Sequence, residues 1–180
     1  MNLNNFLAIL RVMVTYTCLV FLFTTYCFAT LEVDTRQTGT SRRDFNKTQP
    51  KIPSWHYDKI INEMSVRIKN NHNDADALNT RGVAYKGKKE FIKAIADFSA
   101  AIKINPNEVM YYNNRGLTYR EKGDFDKAIA DFSKIIEFQP DSTYAYYAYS
   151  WMADIYAKLG DINKSNKNLE KAKKLKDTFY

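Results

Sequence analysis

Residues 75–108 and 109–142 can be laid over one another without a gap, and 15 of the 34 aligned positions are identical. Self-similarity at a period of about 20 to 50 residues marks an array of small supersecondary units. No single unit can bury its apolar face alone, so the copies must stack. This echo restricts the chain to a repeat architecture before any single residue is interpreted.

The identities include Asn79 with Asn113, Arg81 with Arg115, Gly82 with Gly116, Tyr85 with Tyr119 and Phe91 with Phe125, and a run from Lys93 to Ser99 returns as Lys127 to Ser133. Pro106 returns as Pro140, so each copy closes on a residue that cannot extend a helix. Within a copy, Leu78, Gly82 and Tyr85 fall at steps of four and three, as do Phe91, Ala94, Ile95, Phe98 and Ile102 beyond a short polar turn. That spacing predicts two amphipathic helices per copy. A glycine inside a helix costs about 1 kcal/mol relative to alanine. Gly82 and Gly116 therefore imply close approach of a neighbouring helix, and Ala94 and Ala128 serve the same end on the second helix.

The order Gly82, Tyr85, Ala94, Phe98, Pro106, repeated as Gly116, Tyr119, Ala128, Phe132, Pro140, resembles the tetratricopeptide repeat. A third, looser copy follows at an offset of 37, with Tyr149, Tyr156, Gly160, Asp161, Leu169 and Ala172 standing for Tyr112, Tyr119, Gly123, Asp124, Phe132 and Ile135. There Ala153 replaces the small glycine, Ser165 the alanine and Asp177 the proline, in the manner of an end cap. Upstream, Trp55–Asn70 reads as one helix with Ile60, Ile61, Met64 and Ile68 apolar. The resemblance implies an all-α, right-handed solenoid of helix-turn-helix units. Its parts are an orphan helix in 54–74, units at 75–108 and 109–142, and a degenerate unit with its cap at 143–180.

The formal net charge is +7, which would suit a nucleic-acid partner if the excess lined one surface. It does not. Residues 54–160 carry fifteen basic and fourteen acidic side chains, and the surplus sits in 30–53 and from Asp161 onward. No nucleic-acid partner is expected, and the lysines between 164 and 176 read as the solvated face of a final helix. Both cysteines, Cys18 and Cys27, precede the repeats, so no disulfide framework supports the fold.

Residues 12–29 form an apolar run that follows Arg11 and closes on Cys27, Phe28 and Ala29. This is the pattern of an export signal cleaved after Ala29, with an uncleaved membrane anchor as the alternative. Residues 30–53, with Gly39, Ser41, Pro50 and Pro53 and no periodic pattern, read as a flexible linker.

No Gly-rich phosphate loop, nucleophile elbow or metal-ligand spacing occurs, and His56 and His72 are the only histidines. Neither an enzymatic activity nor a cofactor is expected. Asp97, Asp131, Asp124 and Asp126, on the repeated turns and second helices, read as solvated faces and helix starts. In the family resembled, the first helix of each unit lines a concave groove. The matching positions are Asp76, Asn79, Val83 and Lys86; Met110, Asn113, Leu117 and Arg120; and Tyr147, Ser150, Asp154 and Lys158. Asn79 with Asn113 is the sharper pair, since an amide offers a donor and an acceptor to a peptide backbone. Of the aromatics between 144 and 151, Tyr144 and Tyr147 are the candidate contacts. The family's two-carboxylate clamp would need basic and amide residues where Asn79, Val83, Asn114, Tyr147 and Trp151 stand, and only Asn114 fits. The reading is an exported adaptor that binds a peptide or protein partner in the groove. The alternative is a membrane-anchored structural subunit of an envelope or membrane complex.

Overall fold

The computed structural model describes residues 52–179. The expectations placed on the apolar run at 12–29, on cleavage after Ala29 and on nearly all of the linker at 30–53 lie outside those residues. Among the described residues the chain is entirely helical. It forms α1 (Ser54–Asn70), α2 (Ala75–Gly87), α3 (Phe91–Ile104), α4 (Val109–Lys122), α5 (Phe125–Phe138), α6 (Thr143–Lys158) and α7 (Ile162–Phe179). Each helix packs on its successor, and α2, α4 and α6 also meet as next-but-one neighbours. The result is the all-α solenoid of stacked helix-turn-helix units expected from the repeat.

The helix boundaries follow from local chemistry. Asp74 caps α2 by accepting from the Ala77 amide at 2.9 Å, Ser142 caps α6 by accepting from Ala145 at 3.1 Å, and Asp161 accepts from Lys164 at 3.0 Å at the start of α7. Each cap satisfies one of the free amides that open a helix. The three first helices end in the same way. The residue after the turn takes a left-handed conformation at Lys89 (φ 63°), Gly123 (φ 92°) and Gly160 (φ 81°).

The close approach inferred for the glycines is present. A methyl group at Gly82 would lie 2.7 Å from Phe98 Cε1, and one at Gly116 would lie 2.8 Å from Phe132 Cε1. Both rings are fully buried, so they have no room to retreat, and each contributes about 2–3 kcal/mol through burial. In the third unit Leu169, in the ring's place, is half exposed, and Ala153 is tolerated at the glycine position. Ser165, which replaces the small alanine, is buried, and its hydroxyl donates to the Ala153 carbonyl at 2.9 Å. The polar substitution is thereby satisfied within the pair.

Asp97 and Asp131 are not solvated. Each is more than nine-tenths buried and is gripped through both oxygens by an arginine of the preceding helix. Arg81 donates to Asp97 at 2.8 and 2.8 Å and to Ser65 Oγ at 3.1 Å, and Arg115 donates to Asp131 at 2.9 and 2.7 Å and to Ser99 Oγ at 2.9 Å. A fork of this kind ties both helices of a unit to the unit before it. Asp124 and Asp126 do behave as helix-start carboxylates, with Asp124 paired to Lys122 at 3.0 Å. Ser65 holds the place of Ser99 one period earlier, so α1 packs against α2 as the second helix of one unit packs against the first helix of the next.

Candidate functional site

The first helices α2, α4 and α6 present the face on which the candidate residues fall. Contacts between neighbouring first helices run at a spacing of 35, one more than the repeat. Tyr111 donates to Asp76 Oδ1 at 2.8 Å, Asn114 Nδ2 donates to Asn79 Oδ1 at 2.9 Å, and Lys86 pairs with Glu121 at 2.9 Å. Asn79 is buried, with its carbonyl oxygen engaged inside the protein. The Tyr111 hydroxyl is held above its ordinary range, by burial first and then by its bond to Asp76.

The next junction differs. By the offset of 37 the position of Asn114 is taken by Trp151, an indole in place of an amide. Asn113, the repeat equivalent of Asn79, keeps a buried Oδ1 with no hydrogen-bond partner. At the far end of the face, Asp154 joins Arg120 at 3.1 Å and Lys158 at 3.1 Å. The Trp151 ring packs 5.2 Å from Phe132 and stacks on Tyr147 at 5.6 Å and 21°.

Apolar side chains are left open on this face. Val83 is 44% exposed, Met110 36%, Tyr144 39% and Tyr147 46%, while Leu117 and Trp151 lie half-buried against the core. The charged candidates Asp76, Lys86, Arg120 and Asp154 all have partners within the chain. Ser150 turns its hydroxyl back to the Tyr146 carbonyl at 2.9 Å. Sequence reasoning did not assign Tyr111 or Glu121 to the face, and it met Trp151 only as a clamp position whose residue does not fit. The 34-residue echo singles out identical positions, and these three are positions where the copies differ.

Elsewhere, an open cleft of about 410 Å³ lies on the loop side between α5, α6 and α7, lined by Asp126, Ile129, Tyr156, Leu159, Asp161 and Lys164. Its Asp161 and Lys164 are spent on each other and on the cap of α7. Among the described residues no group of three or more His, Cys, Asp or Glu side chains could hold a metal ion, and no helix is long and apolar enough to cross a membrane.

The sequence pattern of the tetratricopeptide repeat matches residues 75–108 and 109–142, and a second form of the same repeat matches 146–179. Among solved structures, a crystal structure of MamA is 25% identical over 66% of this chain and 67% of its own, with a TM-score of 0.62. A second, of the MamA protein, is 25% identical over 67% and 64%, with a TM-score of 0.63. MamA from Desulfovibrio magneticus RS-1, from residue 41 to its end, is 16% identical over 68% of each chain at a TM-score of 0.63, a likeness of fold alone. The chain spans about two thirds of the length of these structures. None of the curated proteins matches it.

Proposed function

The chain belongs to the tetratricopeptide repeat family, and from that premise we propose that it is a non-catalytic interaction scaffold whose concave face, made by α2, α4 and α6, holds a peptide segment of another protein. The observation that carries this reading is the set of open apolar side chains at Val83, Met110, Tyr144 and Tyr147. Single exposed apolar residues are ordinary, but several on one face mark an interaction surface. The test is capture of copurifying protein by the full chain. A double substitution on the face, Val83→Glu with Tyr147→Glu, abolishes capture, whereas Ile92→Glu, at a second-helix residue 77% exposed, leaves it intact. Equal loss from both changes would reject the face as the binding surface.

The location belongs to the same proposal. The apolar run at 12–29 supports an extracytoplasmic scaffold, either released after Ala29 or held to a membrane by that run as the subunit of a larger complex. Sequencing the N-terminus of the mature protein separates the two: a start near residue 30 supports release, and an intact Met1 supports the anchored form.

A further inference from the structure

We propose that the half of this face between α4 and α6 is its principal subsite, and that it takes a short uncharged peptide segment carrying aromatic or aliphatic side chains. The proposal rests on the concave face being the binding surface and adds to it a location and a ligand chemistry.

The location follows from the contrast between the two junctions. At the first, Asn79 and Asn114 satisfy one another at 2.9 Å. At the second, the donor has been replaced by Trp151, and Asn113 Oδ1 is left buried and unpartnered. An unmet buried acceptor lowers stability, and one retained in a folded chain calls for an explanation. Here it accompanies the placement of a large ring on the face. Trp151 carries Tyr147 in a stack, and Tyr147, Tyr144 and Met110 are three of the four open apolar side chains on the face. Local consistency is given up at the junction where a binding surface is gained, as is usual for functional sites.

The chemistry follows from the charges. Lys86 is neutralised by Glu121, and Arg120 and Lys158 share Asp154. The acid Asp76 is held by the Tyr111 hydroxyl. Within the α4–α6 half an acidic segment would compete with Asp154 for Arg120 and Lys158, and a basic segment would compete with those two cations for Asp154. A neutral segment leaves every pair standing and covers the rings, which present large rigid contact area.

The experiment is selection of peptides from a random displayed library on the full chain, followed by titration of individual winners. Uncharged winners rich in Phe, Tyr, Trp, Leu or Met are expected. Their affinity should fall about tenfold or more in Tyr147→Ala and in Met110→Ala, and less than about threefold in Val83→Ala. It should change little between about 0.05 and 0.5 M salt. Helix content and melting temperature of each variant confirm that the fold is retained. Charged winners that still depend on Tyr147 and Met110 would overturn the ligand class and leave the concave face standing. Winners that depend on Val83 alone would overturn the location. Winners indifferent to all three but lost in Ile92→Glu, or no winners at all, would overturn both this proposal and the scaffold reading beneath it.

Discussion

Asn114 Nδ2 donates to Asn79 Oδ1 at 2.9 Å, a bond that joins α4 to α2 one residue out of step with the 34-residue period. The equivalent acceptor one unit later, on Asn113, has no partner. Two residues identical in sequence and in register thus have opposite energetic roles.

Alanine at the two sites is therefore expected to act differently. Asn79→Ala removes a bond formed by a buried oxygen and leaves the Asn114 amide without its acceptor, a loss of about 1–2 kcal/mol. Asn113→Ala removes a buried carbonyl that was already unpaired, and stability should stay within about 0.5 kcal/mol of the parent or rise. Urea unfolding of the two variants measures both. Equal losses would mean that Asn113 has a partner after all.

The same offset explains what the sequence revealed and what it hid. Self-comparison finds positions that recur, and the scaffold recurs: Gly82 with Phe98 and Gly116 with Phe132 do the same packing in successive units. Helix ends were legible for the same reason, since polar turns and prolines punctuate each copy. Contacts between units follow a different ruler. Asp76 meets Tyr111, Asn79 meets Asn114 and Lys86 meets Glu121, and in none of these pairs do the partners share an aligned position. The burial of Asp97 and Asp131 was hidden too, although Arg81 and Arg115 echo beside them in the sequence. An acid on an amphipathic helix looks solvated until the guanidinium sixteen residues away is known to reach it.

The third unit has already replaced the arginine fork, with Met152 at the place of Arg115 and Asn168 at that of Asp131. In the second unit, burial pushes the Asp131 carboxyl above its ordinary range despite Arg115. Removing one partner leaves the other buried and uncompensated, so Arg115→Met or Asp131→Asn alone is expected to lose about 3–5 kcal/mol. The double variant, which copies the third unit, should recover at least about half of that loss. A double-mutant cycle by chemical unfolding reads the coupling, and strictly additive losses would show that the pair does not act as a unit.

Two helix caps set part of the acid response. Asp74 and Asp161 have pKa values lowered from the ordinary 3.8, chiefly by the backbone amides of Ala77 and Lys164 that they cap. A carboxylate lowered in the folded state contributes stability that is present above 3.8 and is lost as the pH falls through the folded value. Asn at both sites keeps a capping oxygen but cannot titrate. The double Asp74→Asn, Asp161→Asn variant should therefore show a shallower decline of melting temperature below about pH 4. A decline as steep as that of the parent would place the acid sensitivity elsewhere.

Lys89 offers a change that should stabilise the chain. Its φ of 63° is the only positive value at a non-glycine among the described residues, and the equivalent positions hold Gly123 and Gly160. All three close the same turn. The Lys89 amide donates to Lys86 O at 2.8 Å and the Glu90 amide to Tyr85 O at 2.9 Å, as Gly123 and Asp124 do to Arg120 and Tyr119 at 3.3 and 2.9 Å. A side chain in the left-handed region costs about 1–2 kcal/mol, and glycine gives back part of that through the greater freedom of its unfolded chain. The Lys89 side chain is exposed, so little packing is lost with it. Lys89→Gly is expected to gain about 0.5–1 kcal/mol, which raises the melting temperature by about 2–5 °C. Gly123→Lys, the reverse change at the matching turn, should lose a similar amount. If Lys89→Gly leaves the melting temperature unchanged or lowers it, the strain assigned to this turn is not what limits the first unit.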